Sequence, residues 1–136
     1  MNKYLCCLSI FCVFLLFAFT HPEAKVAKIK FLDSRIIQLG NVNEGDVVRA
    51  FVRYKNVGNA PLTFTSVTKT CNCTSVDYQK QPLAPSKTGI VTVSVNTSRK
   101  VGSQVIVVTL KPNVPDKTVI IRVNMNVISA HRHEKS

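Results

Sequence analysis

Asn56-Val57-Gly58-Asn59-Ala60-Pro61-Leu62-Thr63-Phe64-Thr65-Ser66-Val67-Thr68-Lys69-Thr70-Cys71-Asn72-Cys73-Thr74 runs through a turn, a strand and a two-cysteine loop without a break. Gln81-Pro82-Leu83-Ala84-Pro85 follows closely. Gly58 and its flanking asparagines supply a chain reversal, because Gly and Asn accept positive φ at low cost. Pro61 is placed at the first residue of the next strand, where its missing N–H does least harm. Leu62, Phe64 and then Val67 point inward, and the change from spacing two to spacing three predicts a bulge just before the cysteines.

On the amino-terminal side, Val47 to Asn56 alternates, with Val48, Ala50, Val52 and Tyr54 on one face and Arg49, Arg53 and Lys55 on the other. Period two with a charged outer face predicts a half-buried antiparallel strand. Further back, Ile29 to Leu32 and Arg35 to Leu39 read as a first strand and its bent continuation, and Gly40-Asn41 and Asn43-Glu44-Gly45-Asp46 read as turns. On the carboxyl-terminal side, Thr74 to Tyr78 is a short strand leading to the proline-bracketed loop. Val91, Val93 and Val95, then Ile106, Val108 and Leu110, then Val119, Ile121, Val123, Met125 and Val127 mark three more strands. About seven short antiparallel strands with no helical periodicity predict an all-β, immunoglobulin-like β-sandwich over residues 31–128. There is no Trp, and Cys71 and Cys73 stand too close in sequence to bridge two sheets.

Lys3 precedes an almost unbroken apolar run from Tyr4 to Phe19, the length of a signal-peptide core and short of the roughly 20 residues of a spanning helix. We expect a signal peptide over residues 1–20, cleaved after Thr20 or Ala24, with an uncleaved membrane anchor as the other reading. Residues 21–30 form a polar lead-in and residues 129–136 a flexible tail. Cleavage removes Cys6, Cys7 and Cys12 and leaves Cys71 and Cys73 in an oxidising compartment. It also removes Lys3, so the net charge of +11 falls to +10. That sign favours anionic surface polymers or envelope proteins as partners, and equally serves solubility. The cations are spread along the chain without interleaved exposed aromatics, so nucleic acid is not an expected partner.

The three histidines, His21, His131 and His133, lie in the terminal segments, and no carboxylate pair has acid/base spacing. No catalytic residue, cofactor or enzymatic activity is therefore expected. Cys71 and Cys73 are the chemically distinctive pair, and three readings stay open. A disulfide across one residue closes so short a loop that chain entropy contributes only about 1.5 to 2 kcal/mol, and a strained bridge is more easily reduced, which permits a redox role. Two free thiolates could hold a soft metal such as Cu(I), with His131-x-His133 as conceivable further ligands. The third reading is that both cysteines shape a strand-to-loop corner. Arg49, Arg53 and Lys55 form the candidate anionic contact, weighed against an ordinary solvated strand face. Tyr78 is read as exposed, and the sequons at Asn72 and Asn96 as chance.

Asn56-x-Gly58-x-x-Pro61-Leu62, Thr70-Cys71-Asn72-Cys73-Thr74, Pro82-x-x-Pro85, Val95-Asn96-Thr97 and Gly102, in that order, resemble the bacterial domain-of-unknown-function family 1573. The resemblance runs from about Phe31 to Ile128. It implies an immunoglobulin-like sandwich exported to the periplasm or cell envelope of a bacterium, and it brings no catalytic residues. Members usually read Ser-Cys-Gly-Cys-Thr, and Pro-Gly at the second proline. Here Thr70, Asn72 and Ser86 depart from that pattern. Asn72 is expected to keep the loop shape by accepting left-handed φ, whereas Ser86 puts its turn in question.

Overall fold

The structure, a computed structural model, describes residues 22–129. The expected signal peptide, Cys6, Cys7, Cys12 and all three histidines lie outside them. The described chain is all-β, with eight strands rather than about seven: β1 (Ile29–Phe31), β2 (Ile36–Asn43), β3 (Val47–Asn56), β4 (Phe64–Lys69), β5 (Thr74–Tyr78), β6 (Thr88–Asn96), β7 (Gly102–Pro112) and β8 (Val119–Ile128). They form two four-stranded sheets, ordered β1-β3-β6-β5 and β2-β8-β7-β4, packed as a β-sandwich.

The extra strand comes from the amino-terminal end. Ile29 to Leu39 was expected as one bent strand, but its halves pair in different sheets. The crossover is tied to β3, where the Leu32 N–H donates to the Arg53 carbonyl at 2.9 Å and the Asp33 carboxylate accepts from the Arg53 N–H at 2.9 Å. The Ser34 hydroxyl accepts from the Ile36 N–H at 3.1 Å and opens β2. One consequence corrects the all-antiparallel expectation, since β2 and β8 pair in parallel. Each later connection reverses the chain, so strands separated by an even number of reversals run the same way. Gly40-Asn41 is also not a turn. Gly40 adopts φ 67° inside β2, where the register with β8 shifts between Gln38 and Asn41.

The alternating valines do what their period demands. Val52, Val91, Val93, Val95, Val108, Leu110, Ile121 and Val123 are almost wholly buried between the sheets. Each contributes roughly 1.5 to 3 kcal/mol. In place of a Trp, one end of the core holds a row of rings. Phe31, Tyr54, Phe64 and Tyr78 follow one another at centroid separations of 6.3, 5.2 and 5.5 Å, the last two edge-to-face. Tyr54 lies across β6 Gly89, where a Cβ would meet its ring at 2.5 Å, so this glycine is required by packing. Burial pushes the Tyr54 phenol up from its ordinary pKa. Tyr78, expected to be exposed, is half-buried against Phe64, with the Lys80 ammonium 3.5 Å from its ring centre. The bulge expected before the cysteines is present, as a register shift between Phe64 and Ser66 against β7.

Candidate functional site

The motif residues gather at two places, one at each end of β4. At the first, β3 hands over to the turn before β4. Asn56 is completely buried, and its Nδ2 donates to the carbonyls of Ala60 at 2.8 Å and Leu83 at 2.9 Å, while its Oδ1 accepts from the Gly58 N–H at 3.0 Å. Its backbone N–H donates to the Lys87 carbonyl and its own carbonyl accepts from Ser86 N–H. One side chain thus fastens the turn to the loop of Pro82 and Pro85. Leu62 and Leu83 complete the seam as a two-bond bridge, Leu62 N–H to Leu83 carbonyl at 2.9 Å and the reverse at 2.8 Å. Pro61 itself is exposed and precedes β4 by three positions rather than starting it.

Gly58 serves a third segment. The chain from Ala24 to Lys28 lies directly over it, with Val57 N–H donating to the Lys28 carbonyl at 2.8 Å and Asn59 N–H to the Val26 carbonyl at 3.0 Å. The Asn59 side chain accepts from Val26 N–H at 2.7 Å. Ala27 is buried by this docking. Ser86 sits after Pro85 at φ 66°, within a turn closed by the Lys87 N–H to the Ala84 carbonyl at 3.2 Å. The turn therefore forms with Ser86 in the left-handed region, at a cost that a glycine would avoid.

At the second place, the chain leaves the edge of one sheet and enters the edge of the other. Thr70 extends β4, its N–H donating to the Val107 carbonyl at 3.0 Å and its hydroxyl accepting from Val107 N–H at 3.1 Å. A serine would supply the same oxygen. The Thr74 N–H donates to the Cys71 carbonyl at 3.2 Å, which closes the loop, and Asn96 N–H donates to the Cys73 carbonyl at 2.9 Å, which joins it to β6. Asn72 is exposed and does not adopt positive φ, so the left-handed conformation expected for it is not used. The two sulfurs are joined as a disulfide with Cα atoms 5.1 Å apart, and both cysteines are half-buried against the core. Lys69 reaches over the loop and its Nζ donates to the Thr74 carbonyl. Among the described residues, no cluster of three or more metal-ligating side chains forms, here or elsewhere.

The third place is the outer face of the β1-β3-β6-β5 sheet. Arg49 and Arg53 stand on it as the alternation requires, with Lys55 half-buried beside them. Arg53 is not a free cation. Its Nε and Nη2 donate to the two Asp33 oxygens at 2.9 and 2.7 Å. This pair raises the Arg53 pKa and holds the Asp33 carboxyl at about 2, below its ordinary 3.8. An open depression of about 600 Å³ beside it takes in Asp33, Arg35 and Arg122, and its one carboxylate is committed to Arg53.

Two residues that the sequence reading omitted also stand here. Phe51 is 59% exposed between Arg49 and Arg53, and Ile90, opposite Arg53 on β6, is 48% exposed. The expectation that no exposed aromatic interleaves the cations is therefore corrected. The signal was legible, since Phe51 shares the parity of Arg49 and Arg53. Lys30 joins the face from β1, paired with Lys55.

Because the Asp33 pKa is depressed on folding, the pair stabilises the fold fully above pH of about 4 and loses that contribution as pH falls through about 2. Asp33→Asn is expected to be less stable than the parent at pH 6, with the gap closing between pH of about 4 and 2. Thermal melts of both chains across that range check it. A gap unchanged by acid would show that Asp33 acts through its shape rather than its charge.

Residues 29–127 match the model of a protein family described as a protein of unknown function, DUF1573. No curated protein matches the chain. A protein of unknown function from Porphyromonas gingivalis W83 is similar in structure, with a TM-score of 0.64 and 17% identity over 79% of this chain and 50% of that one. The VesB protease of Vibrio cholerae matches at 0.60 and 20% identity, over 72% of this chain and 31% of the protease. A PapD-like domain of human CEP192 matches at 0.60 and 13% identity, over 82% of this chain and 92% of that domain. The chain thus spans half or less of the first two proteins. At such identities the likeness is one of fold.

Proposed function

This chain belongs to the DUF1573 family, and we propose that it is an exported, non-enzymatic, immunoglobulin-like module that binds other components of a cell envelope or surface. The observation that carries this reading is the work done by the family motif. Asn56, Gly58, Leu62 and Thr74 are buried or closely packed; the bonds of Asn56 and Leu62 reach the loop of Leu83, and those of Gly58 and Thr74 close their own turns. A motif used to join strands supports a scaffold and leaves contact to the sheet faces and edges.

A second reading rests on the loop of Cys71 and Cys73. The loop tip, Asn72, is exposed between two half-buried sulfurs at a corner where the chain changes sheets. A dithiol partner could reduce the bridge, giving up two electrons and two protons and becoming oxidised itself. The freed pair could alternatively hold a soft metal.

Replacing both cysteines, Cys71→Ser with Cys73→Ser, separates the readings. The module reading expects stability to fall by no more than about 2 kcal/mol, the chain-entropy value of so short a loop. It also expects the variant, returned to cells lacking the parent chain, to restore the wild-type phenotype and the same set of cross-linked neighbours. Loss of both with the fold intact would transfer the function to the cysteines. Intact mass with alkylation before and after reduction, on protein taken from its own cells, reports the thiol state and any bound metal.

A further inference from the structure

We propose that the outer face of the β1-β3-β6-β5 sheet docks on an anionic phospholipid surface, with Phe51 and Ile90 entering the headgroup boundary and Lys28, Lys30, Arg49 and Lys55 meeting lipid phosphates. The inference deepens the module reading above, on which it rests, by naming the partner class of one face.

Strand pairing places these residues without ambiguity. Along β3 the outward positions are Val47, Arg49, Phe51, Arg53 and Lys55, which face Asn96, Ser94, Thr92, Ile90 and Thr88 on β6. Alternate residues of a strand stand roughly 6.8 Å apart and neighbouring strands about 4.8 Å apart, so Phe51 and Ile90 are diagonal neighbours at the middle of the sheet. Lys30 is opposite Lys55, and Lys28 lies two positions before it with the same parity and is exposed. Among the described residues, the carboxylates near these cations are Asp33, bonded to Arg53, Asp77, which is opposite Thr92 and so two strands from Phe51, and Glu23, which lines a depression with Lys28. Among the described residues, Lys28, Lys30, Arg49 and Lys55 have no ion pair, and Arg49 stands next to Phe51 in its row while the three lysines gather beyond Arg53 at the other end of the row.

That combination selects the occupant. A soluble polyanion would meet the cations and leave Phe51 and Ile90 in water. A single-stranded nucleic acid would stack on Phe51, but would find aliphatic Ile90 beside it rather than a second ring. A bilayer surface satisfies both sets at once, since aromatic and aliphatic side chains partition into the interface and each Lys or Arg near an anionic leaflet strengthens binding about fivefold. Phe51 is also the one aromatic among the exposed large hydrophobic residues described, and it sits between two arginines of the same row. The opposite sheet also exposes apolar side chains, Ile36, Val105 and Ile120, but they are aliphatic, stand among Gln38, Arg122, Asn124 and Asn126, and have no ring among them.

The chain has no Trp, so Phe51→Trp introduces a single fluorophore at the centre of the face. With the protein as purified from its own cells, vesicles of phosphatidylcholine containing phosphatidylglycerol are expected to shift that emission to the blue. Vesicles of phosphatidylcholine alone are expected to leave it unchanged, and added salt to reverse the shift. This readout is local, so an apolar amino terminus that held the chain to any vesicle would not imitate it. Arg49→Ala with Lys55→Ala in the same background is expected to weaken the response about 30-fold. Phe51 and Arg49 are exposed and Lys55 is half-buried, so a thermal melt matching the parent's is required to show that the fold is kept.

No shift with either vesicle overturns the proposal, as does a shift that is equal on neutral vesicles or indifferent to the two alanines. A shift produced by polyphosphate or by an oligonucleotide, and by neither vesicle, would also overturn lipid as the occupant while leaving a binding module. The double-cysteine experiment tests the module reading separately, so the two failures are distinguishable.

Discussion

Asn56→Ala is expected to destabilise the protein by about 3 to 4 kcal/mol, which lowers Tm by about 15 °C for a domain of this size. The side chain is fully buried and makes three hydrogen bonds, all to backbone groups. Alanine removes them together, and a buried group left without its partner costs about 1 to 3 kcal/mol. The sum stays below three full penalties because the Leu83 carbonyl keeps its bond from Leu62 N–H. Urea unfolding with an unchanged slope would show that the native state was affected rather than the compactness of the unfolded chain. Asn56→Asp keeps the acceptor for Gly58, loses both donors and buries a charge, so it should be no better than alanine near neutral pH. A loss below about 1 kcal/mol for alanine would mean that the bridge of Leu62 and Leu83 holds the seam without Asn56.

Gly58→Ala is expected to cost about 2 to 4 kcal/mol, by a different route. Gly58 is not among the residues with positive φ, so conformational freedom is not its reason. A Cβ there would come 2.3 Å from the Val26 carbonyl oxygen and 2.5 Å from the Lys28 nitrogen, both backbone atoms that cannot swing aside. The segment from Val26 to Lys28 must lift, taking Ala27 out of the core and breaking the bonds from Val57 and Asn59. Amide exchange distinguishes the outcomes. Faster exchange confined to Val57 and Asn59 would show the amino-terminal segment detaching from an intact sandwich, whereas faster exchange throughout would show a global loss. Unchanged exchange and stability would contradict the close approach itself.

These two residues illustrate how far a sequence can be read. The order N-x-G-x-x-P-L marked Asn56, Gly58 and Leu62 as belonging together, but not for what purpose. A buried asparagine and a surface turn asparagine look alike until the partners of its amide are known, and here one of them, Leu83, is 27 residues away. Gly58 read as turn chemistry, yet its reason is the chain lying over it from 30 residues earlier. Asn72 and Ser86 show the reverse assignment. The asparagine expected to use left-handed φ does not, and the serine that departs from the family pattern is the residue that does. Loop length and the bonds of Thr74 and Lys87 decide those torsions, and neither is a property of the residue itself.

The sequence by itself determined the class of structure and the facing of each long strand. Period-two alternation over Val47–Asn56 and Val119–Ile128 admits one buried set, because a slip of one residue would turn every valine to water. The same parity already put Phe51 beside Arg49 and Arg53. What only the tertiary structure decided is which strands became neighbours. Ile29–Phe31 and Ile36–Asn43 are both apolar enough for either sheet, and their division between two sheets depends on the vacant edges of β3 and β8 and on Asp33 fastening the crossover to Arg53. Alternation is a local property, carried by each strand alone. Pairing across sheets is settled by edges and distant partners, which exist only once the chain has closed on itself.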